Sequence, residues 1–465
     1  FLYIVIFIST IIGCKKKISP YDLRFRELHE VKIPQYVRKE LPNGVVVFLI
    51  EDHTIPLAHF CVYVRFGKIC DPIDKTGLAK VLMEVLRTGG TESYTGDEID
   101  SILESTGAEI STWVENTRSG IEGYSLRDDF ETILGILYRM LTSPVFDTGK
   151  INLAKINLKT QIARRNDRIG AIAWREFRRL VYGKDSPYAR VEEYRTVNAI
   201  TRADLFEFHK KYFKGDNFVV GIWGDFDSLV VTKFIEKLKR IPKGGEKLPY
   251  QEIKEAPPSI NIAFKEDVNQ TCIIIGHLGM KMDNPDYPKA VVMSRILGGG
   301  WGSRFFTKLR AEKGLAYSIW AYQVAEYDYP GMFVADAQTK VERTTEAIEL
   351  MLEEIKKIRE ELPTDRELYT AREGILNTYA FWFAKSEDVI RRLMRYEFYG
   401  YPLDYLEQYR KGIESTNKED VLRVAKEYIH PDKLIILVVG PPGEYINELA
   451  KFGKLDTIDI SIPQE

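Results

Sequence analysis

The chain has 465 residues, and its 66 Lys and Arg against 68 Asp and Glu give a formal net charge of −2 at pH 7. This balance excludes a protein that binds nucleic acid or another polyanion over its whole surface, because no excess of cations is available. The length predicts two or three domains, and the 45% hydrophobic and 12% aromatic content excludes a disordered chain.

Residues 1–13 form an apolar run without a charged side chain, and three lysines follow Cys14. The run is shorter than the ~20 residues of a transmembrane helix but suits the apolar core of a secretory signal. With no initiator Met and no basic region before it, we expect the sequence to be truncated at its start. Residues 11–14, Ile-Ile-Gly-Cys, resemble the bacterial lipobox, so we expect Cys14 to be lipidated; a plain signal anchor is the alternative.

These features predict a lipoprotein signal at 1–13 and a tether at 14–35. Acyl chains on Cys14 would hold the protein to a membrane surface. We therefore expect an extracytoplasmic, membrane-anchored protein, on the periplasmic face if the cell has an outer membrane.

From residue 36 onward, strand patterns and helix patterns are mixed. Asn43 and Gly44 form a turn signal, and helix 75–86 is expected to be capped by Asp74 or Thr76. Strand pairs of the hairpin type, mixed with helices, predict an α+β fold with a sheet covered by helices on one face. The expected strands are 45–50, 58–66, 109–114 and 119–125, and the expected helices are 75–86, 95–104, 127–142 and 147–166.

Two distant segments share one pattern: an amphipathic helix, a turn containing Asp, and a short apolar strand that ends at Gly. In register, Asp204, Leu205, Phe208, Tyr212, Asp216 and Gly224 align with Asp420, Val421, Val424, Tyr428, Asp432 and Gly440. The series predicts a tandem duplication. Between the copies, residues 241–258 are rich in Pro, Gly and charge, which is typical of a linker. The predicted domains are 36–240 and 259–465.

Segment 77–91 begins with Gly-Leu-Ala, ends with Gly-Gly-Thr, and resembles a landmark of the insulinase-like (pitrilysin) zinc peptidases. In that family the helix carries His-x-x-Glu-His directly after Gly-Leu-Ala. Segment 41–44 looks like the family's opening, and segments 297–306 and 309–317 resemble its C-terminal half. The resemblance covers the chain from about residue 36 to its end. It implies two tandem homologous domains, each a mostly antiparallel mixed sheet covered by helices on one face.

The same resemblance places the family's zinc-site positions on altered residues. The two His ligands fall on Lys80 and Glu84, the general base on Met83, and the third ligand on Gln161. A zinc site of this kind needs two neutral imidazoles and a carboxylate, and the base needs a proton-accepting oxygen. Glu84 could act as a shifted general base, but it is rather expected to be either solvated or paired with Lys80, four residues before it. We expect no zinc and no other cofactor in this chain.

An Arg/Tyr pair of the family's C-terminal half matches Arg310 and Tyr317. A guanidinium and a phenol can orient a peptide carbonyl and stabilise a developing oxyanion. The alternative is an Arg on a helix surface and a Tyr buried in a strand.

Gly298, Gly299 and Gly300 match the position of the glycine-rich substrate loop in the non-catalytic subunit of mitochondrial processing peptidase. A flexible turn between helices is an equal alternative, and a phosphate loop is excluded because no Lys-Ser/Thr follows. Cys61 and Cys70 flank the second predicted strand, and their spacing does not decide whether they form a disulfide.

The resulting hypothesis is a pseudo-peptidase: the non-catalytic subunit of a heterodimeric insulinase-like peptidase, similar to the alpha subunit of mitochondrial processing peptidase. It is expected to be inactive alone and to act on unfolded peptide only with a zinc-bearing paralogous partner. The peptide would lie as an added strand against a sheet edge. The first alternative is a scaffold or peptide-binding protein of the same fold. An active metallopeptidase with an atypical site is disfavoured by the missing imidazoles.

Overall fold

In the computed structural model, residues 34–383 and 385–464 are described, and their strands form two six-stranded sheets. The predicted signal, Cys14 and the tether up to residue 33 lie outside the described residues. The first sheet contains β1 Val37–Glu40, β2 Val46–Glu51, β3 Leu57–Val64, β4 Glu109–Val114, β5 Ser119–Leu126 and β6 Phe218–Gly224. The second contains β7 Ser259–Phe264, β8 Gln270–Leu278, β9 Ala316–Val324, β10 Met332–Lys340, β11 Ile435–Gly440 and β12 Leu455–Ile458.

Helices occupy the stretches between and after the strands. In the first half of the chain they are α1 Leu78–Thr88, α2 Gly96–Thr106, α3 Phe130–Thr142, α4 Thr148–Ala163, α5 Ile169–Tyr182, α6 Tyr194–Asn198, α7 Arg202–Tyr212 and α8 Ser228–Leu238. In the second half they are α9 Tyr287–Leu297, α10 Thr344–Glu360, α11 Asp365–Phe381, α12 Ser386–Tyr399, α13 Tyr405–Ser415, α14 Lys418–Tyr428 and α15 Tyr445–Leu449. A π-helical turn, Phe306–Glu312, precedes β9.

The two sheets have equivalent strand orders. The first is β1-β2-β6-β3-β5-β4 and the second is β12-β7-β11-β8-β10-β9. The second pair in each order is parallel, β2 with β6 and β7 with β11. The edge strand β12 is also parallel to β7, whereas β1 is antiparallel to β2, and the other pairs are antiparallel. Helix α7 followed by β6 corresponds to α14 followed by β11, as the aligned segments indicated. The predicted α+β class with two mixed, mostly antiparallel sheets is confirmed.

The start of α1 differs from the prediction, since neither Asp74 nor Thr76 caps the helix. The helix begins at Leu78, and Gly77 precedes it with a φ of 109°, a left-handed conformation that favours glycine. The buried carboxylate of Asp71 accepts hydrogen bonds from the backbone N–H groups of Gly77 and Ala79, each at 2.8 Å. Asp71 therefore performs the capping function from a loop, at a spacing that helix-start rules do not cover. The second predicted helix follows those rules, with Thr95 as N-cap.

One helix from each half of the chain packs on the sheet of the other half. Helix α5 lies against β8 and β11, and α12 lies against β2, β3 and β6. Phe177 of α5 joins a cluster with Ile274 and Leu437, while Ile390 of α12 joins one with Tyr63. Each sheet thus has helices of its own half on one face and a single exchanged helix on the opposite face. The prediction placed helices on one face of each sheet only, and the exchanged helix covers the other face as well.

Residues 241–258, the predicted linker, contain no helix or strand. The exact domain boundaries stay a prediction, and α5 lies within the predicted first domain although it packs on the second sheet. Cys61 and Cys70 are both free thiols. Over the described ranges, we find no helix with the length and apolar content needed to cross a bilayer.

The contact between α12 and β6 depends on a glycine. A Cβ on Gly221 would lie 2.4 Å from the sulfur of Met394 and 3.3 Å from a methyl carbon of Ile390. We expect Gly221→Val to lower the free energy of unfolding by about 1–3 kcal/mol, because the added atoms overpack this interface. Gly135→Ala, in α3 with open space around the new Cβ, should instead be neutral or slightly stabilising. Urea denaturation of both variants tests this, and equal midpoints would contradict it.

A buried histidine makes stability depend on pH. In β8, Nδ1 of His277 donates to the carbonyl of Leu278 at 2.7 Å, and Nε2 accepts from the backbone N–H of His430 at 3.0 Å. Burial lowers the pKa of His277 to about 4, so the folded protein holds this ring neutral. Below pH ~6.5 the unfolded chain binds a proton that the fold does not, and stability falls towards pH 4 by about 3 kcal/mol.

The variant His277→Gln should flatten the pH dependence of the unfolding free energy between pH 6.5 and 4. Part of the slope should remain, since burial also lowers the pKa of His209 to about 4. Gln161→Ala is the control, because this side chain is exposed on α4 and carries no titrating group, so its replacement should leave the slope unchanged. An unchanged slope in His277→Gln would refute this account.

Candidate functional site

The helix that resembles the family's zinc helix, α1, lies along the edge strand β4. The hydroxyl of Thr112 donates to the carbonyl of Met83 at 2.8 Å, and Nε of Arg87 donates to the carbonyl of Ile110 at 2.7 Å. These two bonds fix α1 against the strand. They also occupy the carbonyl of Ile110 on the strand that ends the first sheet.

At the first predicted ligand position, Lys80 forms an ion pair instead of offering a lone pair. Its Nζ lies 2.6 Å from Oε1 of Glu192, which is in the loop before α6. Burial acts to raise the pKa of Glu192, but the ammonium of Lys80 outweighs it and holds that pKa below its usual range. The pair is therefore ionised and only partly exposed to solvent, with side-chain exposures of 30% and 17%.

The side chains at the other three predicted positions do not form a metal site either. Met83 is buried, and Gln161 is exposed on α4. Oε1 of Glu84 accepts a hydrogen bond from the amide of Asn157 at 2.8 Å. The expected alternative of a Lys80–Glu84 ion pair is wrong, because Lys80 binds Glu192 instead.

These side chains do not fit a zinc ion. An ammonium repels the metal, a buried thioether is a poor ligand for it, and neither position supplies an imidazole. Within 34–383 and 385–464, no group of three or more His, Cys, Asp or Glu side chains is placed to hold a metal. We therefore assign no metal-dependent step to this chain.

Glu192 was not identified from the sequence. It lies more than a hundred residues from Lys80 in a loop without a motif, and only the tertiary fold brings the two together. A buried position for Glu in a loop rich in charged residues has no periodic signal that would reveal it.

Arg310 lies on the π-helical turn and Tyr317 on the neighbouring strand β9. The guanidinium carbon of Arg310 is 5.6 Å from the ring centre of Trp301 and 5.3 Å from that of Phe306, a cation–π arrangement. The π-helical turn packs against β9, and the backbone N–H of Leu315 donates to the carbonyl of Leu309 at 2.8 Å. The structure thus brings the two segments together.

Tyr317 is the extra residue of a β-bulge. Across from it on β10, Gln338 faces Ser318 and Thr339 faces Ala316, so Tyr317 has no opposite residue. Its side chain is 65% exposed, which differs from the buried strand Tyr that was the alternative. Bulges redirect side chains at sheet edges, and β9 is the edge strand of its sheet.

The three glycines form the turn between α9 and the π-helical turn. A Cβ on Gly298 would lie 2.4 Å from the backbone nitrogen of Ala321 in β9, so the close approach of two backbones explains this glycine. The carbonyl of Gly299 accepts a hydrogen bond from Arg295. A role for Gly298, Gly299 and Gly300 as a substrate loop stays a prediction.

Comparison with known proteins identifies relatives along the chain. The family model described as peptidase M16 inactive domain matches residues 199–375. A Helicobacter pylori protein named "non-peptidase homolog YmxG" is 22% identical over 93% of this chain and 98% of its own length. The beta subunit of mitochondrial-processing peptidase from Saccharomyces cerevisiae is 22% identical over 61% of this chain and 63% of its own. The crystal structure of a peptidase M16 inactive domain from Pseudomonas fluorescens superposes with a TM-score of 0.80, at 23% identity, over 88% of this chain and 98% of that one.

The ion pair at the first ligand position yields an asymmetric prediction. Glu192→Gln leaves the partly buried Lys80 near a second partly buried cation, Lys68, without a carboxylate, and should cost about 3 kcal/mol of unfolding free energy. Lys80→Gln should cost less, because Lys68 still acts on the remaining carboxylate. Thermal and urea unfolding of the two variants give the comparison. A larger loss in Lys80→Gln would contradict the assignment.

Proposed function

Because the chain belongs to the insulinase-like (M16) peptidase family as a non-catalytic homologue, we propose that it is the pseudo-peptidase subunit of a heteromeric peptidase. The partner is a paralogous chain with the intact His-x-x-Glu-His helix, which carries the zinc and the general base. This chain contributes Arg310, Tyr317 and half of the wall of a peptide-binding chamber. The name of the yeast relative, that of a peptidase subunit, supports the partnership.

The observation that carries this proposal is the exposure of Tyr317 on the free edge of β9, beside the turn that bears Arg310. An unpaired strand edge is costly to leave open unless something pairs with it, because its N–H and C=O groups offer a template for another strand. Tyr317 has no hydrogen-bond partner in the described ranges, and its ring is directed outward by the bulge. A phenol kept exposed at such a place suits a role towards a bound molecule.

In the proposed complex an unfolded peptide adds a strand to the edge of β9 through main-chain hydrogen bonds, a mode that tolerates many sequences. The guanidinium of Arg310 and the phenol of Tyr317 then donate to the carbonyl that the partner attacks. Both groups are stronger donors to an oxyanion than to a neutral carbonyl, so they favour the tetrahedral state. The contact of Arg310 with Trp301 and Phe306 restricts the guanidinium before substrate arrives.

We also propose that the complex works outside the cytoplasm, tethered through a lipid on Cys14. The support is the apolar segment 1–13 and the Ile-Ile-Gly-Cys motif. The charged segment that follows would act as a tether between the membrane surface and the folded body.

The test is to purify the tagged full chain from its native membranes and to compare wild type with the double variant Arg310→Ala/Tyr317→Ala. The eluate is analysed by mass spectrometry, for bound zinc, and for cleavage of an unfolded peptide. We expect a zinc-bearing relative in both eluates, and a loss of kcat of at least a hundredfold in the double variant, since oxyanion donors typically contribute ~10²–10³.

The matched control is Arg164→Ala/Tyr250→Ala, because Tyr250 is 74% exposed and the Arg164 side chain 75% exposed. This control should keep both the partner and the activity. If the Arg310/Tyr317 double variant cleaves as fast as wild type, the proposed role of the pair is wrong. If no zinc-bearing relative co-purifies, the protein is a scaffold or peptide-binding protein of the same fold.

A further inference from the structure

A cavity of about 150 Å³ lies directly beside the Lys80–Glu192 ion pair. Its wall is made by the loop after β3, by α5 and by the loop 187–192. The charged side chains that line it are Lys68, Arg175, Arg178, Arg190 and Glu192. Four cations therefore surround this space with one carboxylate, in a protein whose overall charge is close to zero.

The one carboxylate of the wall is already engaged by Lys80. Arg175 is also satisfied, because it donates to the carboxylate of Glu176 at 2.7 Å and to two further oxygens. Arg178 donates to the carbonyl of Tyr188 at 3.2 Å, and Arg190 donates to the backbone carbonyls of Ile69 and Asp71. None of these neutral carbonyls supplies a negative charge.

Lys68 is the least compensated of these cations. Across the described part of the chain, its ammonium makes no hydrogen bond and no ion pair, and the side chain is largely buried. Burial lowers the pKa of Lys68, and the nearby charge of Lys80 lowers it further, while the smaller effects of Glu192 and Asp71 act in the opposite direction. Burial likewise lowers the pKa of Arg190.

The remaining acidic groups nearby do not neutralise the cluster. Asp71 uses its carboxylate to cap α1, and burial raises its pKa to about 7. The charge of Arg178 acts to lower the pKa of Glu326, but the two side chains lie beyond ion-pair distance of each other. Cations held in a partly buried space without an anion are unfavourable, so an anion that enters this space would be attracted to them.

We propose that this cavity binds a carboxylate of the peptide held in the chamber, through Lys68, Arg178 and Arg190. The inference rests on the proposed function for the nature of the ligand, and it adds a substrate class: peptides that present a negative charge next to the Lys80–Glu192 pair. Two sources carry the same chemistry, the C-terminal carboxylate and the side chain of Asp or Glu. The volume suits one such group together with a few waters, each of which takes about 30 Å³.

The test uses the isolated full chain with small probes, so neither a partner nor cleavage is needed. N-acetylglycine represents the chain terminus, N-acetylaspartic acid α-amide represents the acidic side chain, and N-acetylglycinamide is the neutral control. Each is titrated at constant ionic strength while Tm is measured. We expect at least one carboxylate to raise Tm in a saturable way and the neutral amide to have no effect. The carboxylate that binds more tightly identifies the source.

The diagnostic variant is Lys68→Gln. We expect its Tm without ligand to be equal to or above that of wild type, because burial and the charge of Lys80 outweigh the attraction of Lys68 to Glu192. Its affinity for the carboxylate should be at least tenfold weaker. Arg178→Gln is a second variant with the same expected loss of affinity. Lys356→Gln, on an exposed face of α10, is the matched control and should bind as wild type does.

Three results would overturn the inference: no Tm change with either carboxylate, an equal change with the neutral amide, or unaltered affinity in Lys68→Gln. A lower ligand-free Tm in Lys68→Gln would also count against it, since it would assign Lys68 to the stability of the fold. Failure of the heteromer experiment leaves these measurements untouched, so the two proposals are tested separately.

Discussion

The exchange of α5 and α12 between the two halves is the constraint on which the rest of this structure depends. The inner strands of each sheet are covered on both faces, and one of the two covers comes from the other half. The strands can therefore be apolar on both sides, as in β6 and β11, whose residues are all buried. The exchange also fixes the loops next to α5, which form one wall of the basic cavity.

Within this frame α1, the helix that resembles the family's zinc helix, is held in place by contacts of its own. The N-terminus of α1 is held by Asp71, its flank by hydrogen bonds to β4, and its first ligand position by the ion pair of Lys80 with Glu192. Each of these contacts is a hydrogen bond or an ion pair, and none of them depends on a metal. The apolar face of α1 is packed in the core of the first half, independently of the side chains at the predicted ligand positions.

Much of the fold could be predicted from the sequence because its signals are local. Alternation of apolar side chains around Val62 and Val64 marks β3, the Thr-Gly-Asp opening at Thr95 marks α2, and the aligned repeat marks α7 and β6. The exchange of helices could not be predicted, because an amphipathic helix does not reveal which sheet it covers. For the same reason the partner of Lys80 and the cap of α1 were missed: both contacts join residues through loops.

The candidate site likewise has features that the sequence predicts and features that it does not. The altered positions Lys80 and Met83 could be named from a motif, and their chemistry already argued against a metal. The outward direction of the Tyr317 side chain could not be predicted. A bulge is a mismatch in the pairing of two strands, so the sequence of one strand alone does not reveal it.

Because of the exchange of helices, one face of the first sheet is synthesised long before the helix that covers it. The last strand of the first sheet ends at Gly224, whereas α12, which covers the face with Tyr63 and Trp223, begins at Ser386. At roughly 5–20 residues per second, that apolar face waits on the order of ten seconds for its cover after its strands have been made. Throughout this interval the uncovered apolar face is open to association with other chains.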